Sequence, residues 1–258
     1  MIKQPYYMIN FNAAACLFEI RVNDIPVITL DIKGQTATRI PINFAISKNG
    51  KQEVSVKVLP MSGNTQLSPK AELSYTVELY DVTNDFSFDS EYKGYKSPKI
   101  DKSKIIPVLT NKTVFDAEVP YQLKDWKDGQ NLKDIDDLNL KIRNTYARLG
   151  KLISDGNYDL FAKKMEKREY NMATSMYLSP SESKARINGL ITSFKSGFDT
   201  MLLAQDSITV MAAYGKKIAL KKPNGEPALS FGNKELNEQI MLDIEFYLPK
   251  GTNEFEII

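Results

Sequence analysis

Alternating apolar and polar positions run through the first half of the chain with the two-residue period of half-buried β-strands. The runs cover residues 18–22, 28–32, 40–46, 54–58, 73–79 and 113–121. Gly34 is expected to end the second run, and Asn49-Gly50 is the strongest short signal of a β-hairpin. Short strands separated by turn residues, without a helical segment, predict a β-sandwich domain over residues 1–122.

An irregular stretch, 81–104, separates the last two of these runs. Its first part is aromatic and acidic, and its second part is rich in lysine. Loops longer than about 12–15 residues are usually functional or disordered. Exposed aromatic rings beside charges are typical of protein-recognition surfaces, whereas the competing interpretation folds the same rings back onto the sandwich. The candidate contact residues of this stretch are Phe86, Phe88, Tyr92 and Tyr95.

After position 135 the apolar spacing changes to three and four residues, which is the period of an amphipathic helix. One helix is predicted to end at Asp155-Gly156, because glycine is the preferred left-handed C-terminal cap. A second is predicted to follow Asn157. A third begins at Ser179-Pro180-Ser181-Glu182, which combines a capping box with proline at the first helical position, and Gly197 is expected to end it.

Alternating runs return after the third helix. A hairpin turn, Pro223-Asn224-Gly225, joins two of them, and residues 240–248 alternate over the length of one long strand. Helices followed by antiparallel strands predict an α+β domain over residues 138–258, with three helices packed on an antiparallel sheet.

An acidic linker, 123–137, joins the two predicted domains. Its part from 125 to 137 carries five Asp against two Lys, a net charge of −3. Complementary charge raises the association rate and selectivity of a complex, so this segment is suited to steering a basic partner. Asp residues also favour the first turn of a following helix, which is the equally weighted structural interpretation. The candidate contact residues here are Trp126, Asp128, Asp134 and Asp136.

Composition removes most catalytic chemistry. The 258 residues include no His and a single Cys, which excludes Ser–His–Asp and Cys–His catalysis, zinc sites built on His or Cys, and an internal disulfide. No catalytic residue, metal site or cofactor is therefore predicted. Lys and Arg number 34 against 32 Asp and Glu, a balance that argues against a nucleic-acid partner, and no apolar run is long enough for a membrane span.

Three local motifs have simpler explanations than the sites they imitate. Ser181 and Lys184 have the Ser-x-x-Lys spacing of serine acyl-enzymes, but helix capping explains this segment better. Ala13-Ala14-Ala15-Cys16 imitates a lipoprotein cleavage site, but the preceding residues make a poor signal core, and Cys16 is expected to be buried in a strand. Four lysines that flank a predicted hairpin are expected to be solvated edge protection. These are Lys216, Lys217, Lys221 and Lys222.

Three segments of the first quarter carry a family resemblance: FEIRVNDIPV at 18–27, PINF at 41–44 and EVSVKVLP at 53–60. They are similar to the β-sandwich-bearing immunity-type proteins encoded beside secreted antibacterial toxins. The resemblance implies a non-enzymatic cytoplasmic protein that binds and neutralises a cognate toxin, made by the same cell for self-protection. It implies no cofactor.

Two other functions stay open. A small-ligand-binding protein would hold a pocket between the helices and the sheet of the 138–258 domain, whereas a filled core there favours protein binding. A carboxylate-based hydrolase needs two acidic residues that converge in a cleft with their pKa values driven apart, and convergence is not visible in a sequence.

Overall fold

The computed structural model describes residues 2–124 and 126–258. The chain divides into two compact units, Met1–Leu123 and Lys124–Ile258. The division falls one residue after the predicted domain 1–122. The second unit includes the described residues of the predicted linker after Leu123. Leu132 of this segment is fully buried.

The described part of the first unit contains six antiparallel strands. They are β1 Pro5–Val22, β2 Ile25–Pro41, β3 Gly50–Leu59, β4 Glu72–Asp81, β5 Ser87–Lys96 and β6 Leu109–Ala117. They form one curled sheet in the order β5-β4-β1-β3-β6, and β2 pairs with β1 along most of its length. β4 pairs with the first part of β1 and β3 with its last part. Because β1 pairs with both β4 and β3, the two halves of the sheet, β5-β4 and β3-β6, are continuous. The β-sandwich predicted for this domain therefore stays a prediction.

The alternation of β1 changes phase at Ala15. The buried residues have odd numbers before this position and even numbers after it: Tyr7, Ile9, Phe11, Ala13, then Cys16, Phe18, Ile20 and Val22. Ala15 has a φ of 46°, and the register with β2 shifts between Ala14 and Cys16. A β-bulge bends a strand and shifts its alternation, so β1 keeps its apolar residues on one face. Cys16 is buried in this strand, as expected.

Two turn predictions in this unit are wrong. β2 continues through Gly34, because Gly34 lies at the register shift opposite Ala15 and not at a strand end. Asn49-Gly50 does not join paired strands, since residues Asn43–Ala45 form a 3-10 turn and β3 pairs with β1 and β6. The buried Asn43 side chain fixes that turn by accepting from the Tyr7 amide at 2.7 Å.

The stretch 81–104, expected to be irregular, contains strand β5. β5 pairs with β4 through a short connection in which the Asp81 carboxylate accepts from the Thr83 amide at 2.9 Å. Two register shifts with β4 interrupt its alternation, which hides the strand period in the sequence. The aromatic residues of this stretch therefore lie on a strand and its turn.

The described residues of the second unit include three α-helices: α1 Leu138–Ser154, α2 Tyr158–Ser175 and α3 Pro180–Lys195. Gly156 and Gly197 follow α1 and α3 with φ of 73° and 96°, the left-handed conformation that suits glycine. Ser179 accepts from the Glu182 amide, while the Glu182 carboxylate accepts from the Ser179 amide at 2.8 Å. The predicted capping box is confirmed.

Within the same described part, seven short strands form two antiparallel sheets where the sequence predicted one. The strands are β7 Asp199–Thr200, β8 Ile208–Ala212, β9 Lys217–Lys221, β10 Ser230–Asn233, β11 Glu238–Met241, β12 Phe246–Tyr247 and β13 Glu256–Ile257. The sheets have the orders β11-β10-β7 and β13-β12-β9-β8. The single strand predicted over 240–248 is wrong, because β11 belongs to one sheet and β12 to the other.

An apolar cluster fills the space between the helices and strands of the second unit. Its largest fully buried members include Tyr146, Phe161 and Phe231. The Tyr146 hydroxyl donates to the Ile244 carbonyl at 2.5 Å and accepts from the Leu220 amide at 3.0 Å. One side chain of α1 thereby satisfies two buried backbone groups.

Candidate protein-binding surface

The first part of β1 has one buried side and one side that points away from the core. Tyr7 and Phe11 are buried, whereas Asn10 and Asn12 are partly exposed. Directly opposite residues of an antiparallel sheet share a face, so the partners of the even-numbered residues lie on the same side. These partners include Ala37, Arg39, Ser74, Thr76, Glu78 and Tyr80. We call this side, together with the adjoining part of β5, the outer face.

Tyr6, Tyr80, Phe86 and Phe88 pack together at one end of the outer face and form what we call the aromatic patch. Phe86 stacks on Tyr80 with the ring centroids 5.1 Å apart and meets Tyr6 edge-on at 5.1 Å. Phe88 meets Tyr80 edge-on at 5.8 Å. Phe86 and Phe88 are nevertheless 44% and 57% exposed. The patch is therefore an ordered apolar platform that stays in contact with solvent.

The turn between β4 and β5 places Phe86 in this patch. Asp85 and Phe86 have φ of 53° and 55°, a left-handed conformation that is uncommon for residues other than glycine. The Asp81 carboxylate stabilises the start of the turn by accepting from the Thr83 amide and from its hydroxyl, the latter at 2.6 Å. Stacking on Tyr80 then holds the ring of Phe86 over the sheet.

Glu78 is the polar centre of the outer face. Its side chain is only 4% exposed, and its carboxylate accepts from Asn10 Nδ2 at 2.7 Å, Arg39 Nε at 2.7 Å and the Tyr80 hydroxyl at 2.6 Å. Burial by itself raises the pKa of Glu78, but the hydrogen bonds from Arg39, Tyr80 and Asn10 outweigh it and hold the pKa below its ordinary value of 4.5. The Arg39 side chain remains 53% exposed, so a guanidinium of fixed position lies beside the aromatic patch.

An open groove of about 760 Å³ crosses the outer face next to the Glu78 cluster. Residues with neutral amide or hydroxyl side chains line it along β1 and β4, and charged residues line it along β5 together with Tyr95, whose strand partner Tyr75 is buried in the core. The polar and charged lining residues are Asn10, Asn12, Ser74, Thr76, Glu91, Lys93 and Lys96. The groove thus offers hydrogen-bond donors and acceptors, together with charges of both signs.

The four candidate residues of the β5 region have different surroundings. Phe86 and Phe88 belong to the aromatic patch, and Tyr95 is half-buried in the lining of the groove. Tyr92 is half-buried as well, but its ring packs 5.5 Å from Phe115 and 6.3 Å from Tyr7. The structure therefore brings Phe86 and Phe88 together at the surface and gives Tyr92 a place among core rings.

Trp126 is buried in the second unit, with 4% of its surface exposed. Lys217 Nζ lies 3.9 Å from the centroid of the ring and forms an ion pair with Glu245 at 2.7 Å. The prediction that the four hairpin lysines are solvated is wrong for Lys217, because this cation–π contact and ion pair bury it. Lys216 donates to the Gly129 carbonyl at 2.9 Å, and Lys221 and Lys222 pair with carboxylates.

Asp128, Asp134 and Asp136 are exposed in the second unit. Asp134 ends the 3-10 turn Leu132–Asp134 and accepts from Asn131 Nδ2 at 3.0 Å. Leu132 of the same turn is buried in the apolar cluster. The acidic segment is therefore anchored locally while these three carboxylates meet solvent.

Sequence reasoning missed Tyr6, Arg39, Glu78 and Tyr80. A signal was present, because Tyr6, Asn10 and Asn12 alternate with buried residues in the same way as the recognised strands. These residues also precede the lipoprotein-like segment 13–16, so they resemble a poor signal core as well as a strand. Glu78 stands in the polar phase of the recognised run 73–79, but two of its three donors, Asn10 and Arg39, are distant in sequence.

Ser181, which has the Ser-x-x-Lys spacing with Lys184, lies at the start of α3. The Ser181 hydroxyl lies 3.0 Å from the Ser179 hydroxyl at the start of α3, within the capping arrangement. No group of three Cys, Asp or Glu side chains in the described residues is arranged to hold a metal ion. None of the helices described is both long and apolar enough to cross a membrane.

No family model, curated protein or solved structure matches this chain.

Proposed function

We propose that this chain is a non-enzymatic protein-binding protein whose contact surface consists of the aromatic patch, Arg39 and the adjoining groove. The observation that carries the proposal is the exposure of Phe86 and Phe88 on a platform of packed rings. Aromatic residues, Phe included, and Arg are enriched at the core of protein interfaces, where a few residues supply most of the binding energy. Exposed apolar patches with a polar rim are typical of such sites.

The proposed surface is ordered before a partner binds. Stacking on Tyr80 positions Phe86, and two hydrogen bonds to Glu78 position the Arg39 guanidinium. Binding therefore loses little side-chain entropy, which favours high affinity for a given area. Glu91, Lys93 and Lys96 beside the groove supply charges that discriminate between partners.

We further propose that the partner is a secreted antibacterial toxin and that the chain acts in the cytoplasm as its immunity protein. The support is the resemblance of residues 18–27, 41–44 and 53–60 to immunity-type proteins. An interface of about 1,600 Å² is large enough to cover the active site of an enzyme. The same resemblance leads us to propose that the two halves of the curled sheet correspond to the layers of a β-sandwich.

The alternative small-ligand pocket in the domain 138–258 has less support. The space between helices and strands of the second unit is packed with apolar side chains such as Phe161, Phe194 and Phe231. Apolar packing of this kind is typical of a structural core.

The test is the affinity of the purified chain for the products of candidate toxin genes encoded beside it, measured by calorimetry. A cognate toxin is expected to bind with a nanomolar Kd. Phe88→Ala is expected to raise that Kd by about 30-fold or more, because truncation of a central aromatic contact costs about 2 kcal/mol or more. Ile105→Ala is the matched control, since Ile105 is 81% exposed in the same unit but lies outside the patch.

Two results would count against the proposal. Absence of a nanomolar complex with any encoded neighbour removes the immunity function. Nanomolar binding that Phe86→Ala and Phe88→Ala both leave unchanged places the contact away from the aromatic patch.

A further inference from the structure

β2 is an edge strand along its whole length. Its ladder pairs it with β1, and no second strand pairs with it in the described residues. An unpaired edge presents backbone N–H and C=O groups on which another strand is able to dock.

Two irregularities isolate a regular segment within β2. Val27 is an extra residue between the pairs Arg21↔Pro26 and Ile20↔Ile28. Lys33 and Gly34 lie between the pairs Cys16↔Ile32 and Ala14↔Gln35. Residues 28–32 therefore form a five-residue regular segment with Leu30 at its centre.

The segment has an apolar side and a polar side. Ile28, Leu30 and Ile32 lie opposite buried residues of β1 and share the core-facing side. They remain partly exposed. Thr29 and Asp31 lie on the other side, where Asp31 accepts from the Ser62 amide at 3.1 Å.

We propose that the chain forms a symmetric homodimer in which residues 28–32 of two copies pair as antiparallel strands around Leu30. In this register Leu30 meets Leu30 of the second copy, and Ile28 meets Ile32. Thr29 meets Asp31, so the one acidic residue of the segment faces a hydroxyl. A register centred on Asp31 instead places two carboxylates opposite each other, which is destabilising.

The twofold arrangement makes the contact self-complementary, as closed homodimers require. Its apolar row continues from the core-facing side of one copy to that of the other. Five residues per copy bury less than the standard interface of about 1,600 Å². The dimer is therefore expected to be weak, with a Kd in the micromolar range or above, and independent of the proposed toxin contact.

The first test is sedimentation equilibrium of Thr29 variants. Thr29→Asp places a second carboxylate opposite Asp31, and Thr29→Lys places an ammonium there. Each contact occurs twice in the dimer, so the Kd is expected to rise roughly 3-fold to 30-fold for Thr29→Asp and to fall for Thr29→Lys. Gln35→Asp and Gln35→Lys are the matched controls, because Gln35 is exposed on β2 but lies outside the segment 28–32.

Thr29 also lies opposite Glu19 of its own chain. Thermal unfolding of each variant at a concentration where it is monomeric separates this effect on folding from the effect on association.

The second test is crosslinking of single-cysteine positions, with the native Cys16 buried. Opposite Cβ atoms of an antiparallel pair are about 4.5–5.5 Å apart, so Leu30→Cys is expected to give dimers with a short bifunctional thiol reagent. Ile32→Cys is the control, because the two copies of Ile32 are about 13 Å apart in this register.

Three results would overturn the proposal. The chain stays monomeric up to about 1 mM, or it forms a dimer whose Kd is unchanged in both Thr29 variants. The third result is equal crosslinking of the Leu30→Cys and Ile32→Cys variants. If the chain is strictly monomeric and Leu30→Lys weakens its binding to the toxin, the edge of β2 is a contact site for the toxin and not for a second copy.

Discussion

Arg39 on β2 reaches across β1 to Glu78 on β4, with Arg39 Nε 2.7 Å from Glu78 Oε2. Asn10 on the intervening strand donates to the same carboxylate at 2.7 Å. One buried acid thus ties together side chains from three strands of the outer face. The aromatic patch begins at Tyr80, which donates to the same acid, so the polar cluster and the aromatic patch form one arrangement.

The stability supplied by Glu78 is expected to depend on pH. The pKa of Glu78 is lower in the folded chain than its ordinary value of 4.5, so its contribution is complete above about pH 4.5 and is lost as the pH falls through the folded-state pKa. Glu78→Gln is expected to lower the free energy of unfolding by about 1–3 kcal/mol at pH 7, because charge-assisted hydrogen bonds are lost. The difference between the two proteins is expected to shrink as the pH falls below about 4.5, as measured by urea unfolding across a pH series.

Glu91→Gln is the control for this measurement. Glu91 pairs with Glu78 across β4 and β5 but is exposed. Its substitution removes a like charge opposite Glu78, so the free energy of unfolding is expected to stay unchanged or to rise by up to about 1 kcal/mol. A loss for Glu78→Gln that stays constant from pH 7 to pH 3 would contradict the role given to the carboxylate.

Gly94 is required by the close approach of β5 to β4. A Cβ atom at this position would lie 1.9 Å from the Tyr75 carbonyl oxygen. Gly94→Ala is therefore expected to push β5 away from β4 and to destabilise the first unit by about 2 kcal/mol or more. Hydrogen exchange of the β5 amides is expected to accelerate.

Gly34→Ala is the matched control on β2. A Cβ atom there meets no atom within 4 Å, and the backbone does not have a positive φ. Replacement of a glycine in a compatible conformation is neutral or stabilises by about 0.4–1 kcal/mol. An equal loss of unfolding free energy in Gly34→Ala and Gly94→Ala would show that the close approach of β5 to β4 does not cause the destabilisation.

Tyr146→Phe is expected to destabilise the second unit. The substitution keeps the ring but leaves the Leu220 amide and the Ile244 carbonyl without their buried partner. Each unsatisfied group costs about 1–3 kcal/mol, so the expected loss is about 2–5 kcal/mol. Trp126, the single tryptophan, is buried in this unit, and its fluorescence follows the transition. Tyr170→Phe, at a ring that is 45% exposed, is expected to be neutral.

Local signals predicted the helices well. The capping box at Ser179 and the glycines after α1 and α3 depend on residues within one turn of each other, and short-range chemistry of this kind is visible in a sequence. Strand pairing depends on distant residues. For that reason Asn49-Gly50 suggested a hairpin that the structure replaces with a turn around Asn43.

The candidate surface was predicted in part for the same reason. Phe86 and Phe88 stand out as aromatic residues among charges, so composition was enough to select them. Arg39 and Glu78 are 39 positions apart, and only the register of β2, β1 and β4 brings them together. Trp126 was selected by residue type, but its burial under Lys217 depends on a lysine far along the chain.

Cys16 provides a probe of the first unit that complements Trp126. Its side chain is fully buried on β1, and burial raises the pKa of the thiol to about 11. Because the thiolate is the reactive form, the native chain at pH 8 is expected to react with a thiol reagent at least about 100-fold more slowly than the urea-unfolded chain. Thr38→Cys, at an exposed position of β2, is expected to react rapidly in the native state. Rapid labelling of Cys16 in the native chain would contradict the bulge at Ala15, because without that phase shift the side chain at position 16 would lie on the opposite face of the strand.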